Sequence, residues 1–403
     1  MATTAHGFQE GAGAGALPAA KVGVGSRISS IDALRGLVML FMLLDHVRET
    51  FLLYVQVGDP VDAATTDPSL FFTRITSTFC APTFVALTGL SAFLYGQKHT
   101  KREVSWFLFS RGLFLMLLEV TLISFAWPTQ DIVFPPSTLW LQVIWAIGLS
   151  MVVLAALIHL PRVILLALGL GIVVLHNLLD PIYVGPESPF YYLWAQLHQR
   201  ELIEIGGGVA AKTSYPVLPW IGLMVLGYCA GPLFGSSATP EERLRRLVML
   251  GVGLIVGFVA IRLLNFYGDK PWTYGENPLR TVMSFLALTK YPPSLLFLMP
   301  TLGVGCLLLA LFEARNKSPI LPHLAYFGGA PMFFYVVHLY LLKLLYNVAY
   351  ATFGPNKGEL FGVDGVWAVW LIFAALIVPL YYPTRWFAEL KQRRRDIWWL
   401  KYL

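Results

Sequence analysis

Charge is scarce in this sequence. Only 13% of its 403 residues are Asp, Glu, Lys or Arg, about half of the roughly 25% that soluble domains carry. So little charge excludes a soluble enzyme, a nucleic-acid-binding module and a disordered chain. Cysteine is scarce too. Cys80, Cys229 and Cys306 each lie in or beside an apolar run, with neither metal-ligand spacing nor a disulfide framework. There is no Walker loop, dinucleotide fingerprint, HExxH or convincing GxSxG element. No metal and no tightly bound cofactor is therefore expected.

Apolar sequence is plentiful: 57% of residues are hydrophobic and 14% aromatic, and the mean hydropathy is +0.65. The net charge of +6 sits between hydrophobic runs rather than on one stripe, which argues against a nucleic-acid partner. A spanning helix needs about 20 mostly apolar residues. About ten stretches qualify: 33–54, 79–97, 105–126, 139–158, 161–179, 215–234, 246–265, 293–312, 324–348 and 363–384. The expected fold is all-α, a polytopic integral membrane protein whose main partner is the lipid bilayer.

Residues 1–26 are small and aperiodic and lack the basic-then-apolar order of a signal peptide, so they read as a disordered tail. Residues 27–384 form the membrane domain and 385–403 a basic tail, with no internal repeat and no second domain. With the N-terminus in the cytoplasm, alternation through ten spans puts most of the 29 basic residues inside. The inside-positive bias thus predicts that both termini are cytoplasmic. Two outer connections, roughly 180–214 and 266–292, are long enough to cap a site.

The densest polar constellation lies in the first span, where Arg27, Asp32 and Arg35 are followed by Asp45, His46, Arg48 and Glu49. Arg35 and His46 are eleven positions apart, three helical turns, so they share a face about 16 Å apart along the axis. Intramembrane ionisable groups usually face a bundle interior or a wet cavity. Interfacial anchoring accounts for Arg27 and Arg35 equally well, and a wet helix end for Asp45 to Glu49. A second histidine, His338, lies in the ninth span at a matching depth, about 22 Å from the inner end. Two imidazoles at one level are placed to share a site, and histidine titrates near neutrality. Glu119 falls at a comparable height in the third span, as a lone buried acid, a partner orienting a histidine, or a bond to a neighbouring helix. Lys290-Tyr-Pro-Pro-Ser294 and Tyr215-Pro-Val-Leu-Pro-Trp220 read as rigid lead-ins to the eighth and sixth spans.

The opening Arg27-x-x-Ser-Ile-Asp32-x-Leu-Arg35-Gly36 resembles that of the heparan-alpha-glucosaminide N-acetyltransferase catalytic-domain-like proteins, within the transmembrane acyltransferase superfamily. Leu-Asp45-His46-x-Arg48 and Cys80-Ala-Pro-Thr-Phe84 are similar to a bacterial branch of that group. Arg35-x10-His46 also resembles the pattern of the acyltransferase 3 family, as does the aromatic stretch ending in His338. The lysosomal enzyme of the first group carries Asn at the position of His46 and its active histidine in the following loop. No histidine occurs here between His46 and His99, so neither that histidine nor the glucosaminide substrate carries over.

The resemblance implies acyl transfer, with acetyl the expected group, from cytoplasmic acyl-CoA as co-substrate to a glycan or lipid-linked acceptor outside. The site it implies is a multi-pass protein in a bacterial inner membrane, and a homo-oligomer is compatible with it. His46 would act as general base or carry the acyl group, with His338, Glu119 and Asp45 behind it. Arg35, Arg27 and Arg111 would hold the acyl-CoA phosphates. A transporter or flippase and a non-catalytic membrane scaffold are the competing classes. The first is weakened by the absence of inverted repeats and paired broken helices.

Overall fold

The computed structural model describes residues 29–55, 57–127, 136–235, 238–394 and 396–402. Residues 1–26 and Arg27 therefore lie outside the described residues. The chain runs α1 (Ser29–Phe51), α2 (Pro68–Thr76), α3 (Cys80–Gly96) and α4 (Lys101–Leu118), the last continuing through a π-helical turn (Glu119–Ile123) to Ala126. Then follow β1 (Thr138–Leu141), α5 (Val143–Leu157), α6 (Arg162–Leu175), α7 (Tyr191–Leu197), β2 (Leu202–Gly206), β3 (Val209–Thr213) and α8 (Leu218–Cys229). The last part comprises α9 (Pro240–Leu264), α10 (Pro278–Leu286), α11 (Leu295–Ala314), α12 (Ile320–Gly329), α13 (Pro331–Phe353) and α14 (Val366–Arg393).

Local chemistry sets many of these boundaries. Three helices open on a capping side chain followed by proline: Asp67-Pro68, Thr239-Pro240 and Asn277-Pro278. The side chain accepts an orphan backbone N–H, and proline has no N–H to leave unpaired at the first helical position. Thr100 and Glu103 form a reciprocal capping box at the start of α4. Asn265 closes α9 in the left-handed region, φ 57°.

Among the described residues, seven helical segments are long and apolar enough to cross a membrane. The protein is a multi-pass membrane protein. Each of the ten expected stretches overlaps a helix, but three differ in kind. α1 carries Asp32, Arg35, Asp45, Arg48 and Glu49, so its composition alone does not mark it as a span, and α5 and α8 are short.

Four expectations need correcting. The stretch 324–348 is not one helix. It breaks at Ala330, φ −132° and ψ 53°, and Pro331 opens α13, because residues before proline are pushed out of the helical region. The fold is mostly helical but not all-α. A three-stranded sheet of order β1-β3-β2 lies in the loop layer, with β1 parallel and β2 antiparallel to β3. Gly206, Gly207 and Gly208 turn the β2–β3 hairpin at φ 110°, 62° and 77°, a region that side-chain-bearing residues rarely enter. Residues 139–141, expected as helix, belong to β1. The last helix also runs past residue 384 to Arg393, with Pro379 and Pro383 inside it.

α1 is the axis of the bundle, touching α3, α11, α12, α13 and α14. Its tightest crossing is with α12 and is built on two glycines. A Cβ on Gly36 would stand 1.8 Å from the Leu324 carbonyl oxygen, and one on Gly328 would stand 1.8 Å from that of Asp32. Backbone therefore lies on backbone, as small residues permit between membrane helices. Gly112 and Gly148 join α4 to α5 in the same way.

The loop layer is tied down by two arginines. Arg262, 1% exposed, donates to the carbonyls of Lys270, Ser284, Phe285 and Ala287. Arg280 donates to the carbonyls of Ala63 and Thr66, joining α10 to the 57–67 loop.

Gly36→Val and Gly328→Val should each lower stability by at least the ~1–3 kcal/mol typical of overpacking, because no rotamer relieves a Cβ set against a backbone oxygen. Gly171→Ala, at a helical site with nothing within 4 Å, should instead be neutral or stabilising by up to about 1 kcal/mol. Thermal unfolding of the three variants in detergent checks the contrast.

Candidate active site

The break at Ala330 lets α13 set off again beside α1, and this brings His338 to His46. Nδ1 of His46 and Nε2 of His338 are 2.7 Å apart, with the rings nearly parallel at 8°. His338 is 0% and His46 8% exposed. Trp127 and Tyr335 stand edge-on to the His46 ring, at 5.0 and 5.9 Å between centroids. The depth match expected from helical counting therefore corresponds to direct contact.

The neighbours also set the tautomers. His338 Nδ1 lies 2.8 Å from the carbonyl oxygen of Phe334, which can only accept, so Nδ1 carries the proton. In a neutral ring Nε2 then has the lone pair and accepts from His46 Nδ1–H. His46 is left with its lone pair on Nε2. A backbone carbonyl four residues before His338 thus fixes the state of a histidine on another helix.

His46 lines a cavity of about 310 Å³, near the lower bound of ~300–1,000 Å³ usual for ligand sites. At one end stand Arg35, Arg111 and Lys391 beside Ser91 and Tyr95. Arg35 donates to Asp32 at 3.0 Å, to the Leu87 carbonyl at 3.2 Å and to the Ser91 hydroxyl. The Arg111 guanidinium stands 5.9 Å from the centre of the Phe107 ring, and Lys391 donates to the Gly329 carbonyl at 3.1 Å. The middle is walled by apolar groups including Met39, Met42, Phe84, Ile147 and Met332.

Towards the other end the lining includes Asp45, Ser77, Tyr215 and Lys290. Asp45 is the counter-ion of two buried arginines: Oδ1 accepts from Arg48 at 2.9 and 3.0 Å, and Oδ2 from Arg74 at 2.6 Å. Glu49 pairs with Arg48 at 3.1 Å. The hydroxyls of Tyr215 and Tyr291 lie 3.2 Å apart.

The expected site residues divide accordingly. His46, Arg35, Arg111 and Asp45 line one cavity and His338 stands directly behind His46, while Arg27 lies outside the described residues. The oxygens of Asp45 are held by Arg48 and Arg74. Glu119 is engaged elsewhere too. It is 0% exposed and outside the cavity lining, and its Oε2 accepts the Trp145 N–H at 2.9 Å. It thereby caps the start of α5, where Gln142 supplies no side-chain cap.

Sequence reasoning gave no site role to Arg74, Lys290 or Lys391. One signal existed for the first two: both are basic residues on the side that the inside-positive pattern leaves acidic. A separate group, His176, Asp180 and His198, brings ligand atoms within 4.8 Å of one another outside the cavity. There His198 Nε2 donates to the His176 carbonyl at 3.0 Å, so that nitrogen's lone pair is not free for a metal.

Asp45→Ala should cost about 3–5 kcal/mol, because it removes the carboxylate partner of buried Arg74 and leaves Arg48 with Glu49 alone. Adding Arg74→Met should return part of that loss, since the pair is coupled. A double-mutant cycle by thermal unfolding reads both numbers.

The family model described as heparan-alpha-glucosaminide N-acetyltransferase, catalytic, matches residues 27–267. That span holds Arg35, His46, Arg74 and Arg111, and ends before His338. A search of curated proteins finds no match to the chain. With more than half of its length matched, the chain belongs to the heparan-alpha-glucosaminide N-acetyltransferase catalytic-domain family, a family of membrane acetyltransferases.

Proposed function

We propose that this protein moves an acyl group, acetyl by family, from acyl-CoA on the cytoplasmic side of a bacterial inner membrane to a hydroxyl or amine of a glycan or lipid-linked acceptor on the outer side. One observation carries the reading: a hydrogen-bonded histidine pair opens onto a cavity whose far end holds Arg35, Arg111 and Lys391. Guanidinium and ammonium groups suit the phosphates of CoA. The 16 Å of helix between Arg35 and His46 is of the same order as a pantetheine arm.

In this reading the thioester lies along the apolar middle of the cavity with its carbonyl near His46. The acceptor O–H or N–H attacks the carbonyl carbon, and His46 Nε2 takes the proton as the new bond forms. The C–S bond then breaks, and the leaving thiolate takes that proton back from the imidazolium. His338 acts through His46. It accepts the Nδ1–H bond and steadies the positive charge that His46 carries between the two steps, as a carboxylate does in a hydrolase triad. The reactive state has both rings neutral, so activity falls on the acid side, where an imidazolium cannot accept a proton.

His46→Ala should lower transfer of labelled acetyl from acetyl-CoA by about 10²–10⁴-fold while acetyl-CoA binding persists. His338→Gln should lower kcat and leave the acetyl-CoA KM unchanged. Arg35→Ala and Arg111→Ala should raise that KM, with Arg35→Lys recovering only part because the planar fork is lost. Folded His46→Ala protein that transfers acetyl at the wild-type rate would refute the assignment. Flux of a sugar or lipid across vesicles without acyl transfer would favour a transporter.

A further inference from the structure

At the loop end of the cavity one cation forms no ion pair among the described residues. Lys290 is 6% exposed and sits in the segment between α10 and α11. Its backbone is anchored: Asp59 accepts the N–H of Lys290 at 3.0 Å and that of Tyr291 at 2.8 Å. The side chain lines the same cavity as His46. Among the described residues no carboxylate lies within 4.0 Å of its ammonium, whose one contact is the face of Tyr291, 5.1 Å from the ring centre.

The carboxylates nearby are committed elsewhere. Asp45 is held by Arg48 and Arg74, and Glu49 by Arg48. Asp59 is taken up by the two amides, and burial pushes its carboxyl above the usual range. A buried lysine is almost always paired, because an uncompensated charge away from water is costly. The Tyr291 ring offsets only part of that cost. Arg35, Arg111 and Lys391 stand at the opposite end of the cavity, so Lys290 is set apart from the groups that suit CoA phosphates.

We propose that Lys290 is the anion-binding residue of the acceptor subsite, so that the acceptor carries an anionic oxygen group, phosphate or carboxylate, near the hydroxyl or amine that is acylated. Lys290 and Tyr215 line the same cavity as His46, and the Tyr215 hydroxyl lies 3.2 Å from that of Tyr291. This gives the acceptor of the acyltransfer reading a chemical class, and it rests on that reading only for the consequence. Binding itself is independent of turnover.

The test uses the full chain in detergent with three matched hexoses, glucose, glucose 6-phosphate and glucuronate, titrated calorimetrically without acyl donor. Wild type should bind at least one anionic hexose at least tenfold more tightly than glucose. Preference for glucose 6-phosphate points to a phosphorylated acceptor and preference for glucuronate to a carboxylated one. Lys290→Met and Lys290→Gln should erase the preference, and Lys290→Arg should keep it, with acetyl-CoA binding retained in all three. Equal binding of all three hexoses by wild type, or an unchanged preference in a folded neutral variant, overturns the inference. The wild-type comparison decides even if the neutral variants fail to fold. Loss of acyl transfer with the preference intact would count against the enzyme reading alone.

Discussion

The site depends on one hydrogen-bonded line, from the Phe334 carbonyl through His338 to His46. A lone histidine inside a bundle has two usable tautomers and no fixed direction of proton transfer. Here a backbone carbonyl, which can only accept, removes that freedom from His338, and His338 removes it from His46. The lone pair of His46 Nε2 is thereby defined by a helix other than its own. Because both rings are almost wholly buried, no bulk water competes for these bonds.

The bundle is arranged to hold that line. Gly36 and Gly328 let α1 and α12 touch backbone to backbone, and the break at Ala330 re-aims the chain so that α13 carries His338 back to α1. The Asp45–Arg48–Arg74 cluster pins the loop end of α1 to α2, just beyond His46. Glu119 fixes the start of α5 from the π-helical turn of α4, and residues of both helices line the cavity. Much of the buried charge described above is thus structural, and Lys290 stands out because no carboxylate among the described residues forms an ion pair with it.

Much of this arrangement was legible in the sequence. Helical periodicity reports depth and face, so Arg35 and His46 on one face, and His46 and His338 at one level, followed from counting residues. Periodicity carries nothing about which helices meet, so Arg74 drew no reading, Lys290 read only as part of a rigid lead-in, and Glu119 read as a candidate partner for the histidines. The break at Ala330 was signalled by Gly328-Gly329-Ala330-Pro331. An apolar run on both sides hid it, because hydropathy sums over a window and does not register one residue leaving the helical region. The small sheet was missed for the opposite reason. Its strands are too short for alternation to stand out, and Thr138–Leu141 merges into the apolar start of α5.

The tautomer of His46 is the most direct test of the account. In ¹⁵N-histidine-labelled protein at neutral pH, with His46→Gln and His338→Gln used for assignment, both histidines should carry their proton on Nδ1, leaving an unprotonated Nε2 on each. His46 should lose this fixed tautomer in His338→Gln protein. A His46 protonated at Nε2 in the wild type would contradict the account, because its base would then point at His338 instead of the cavity.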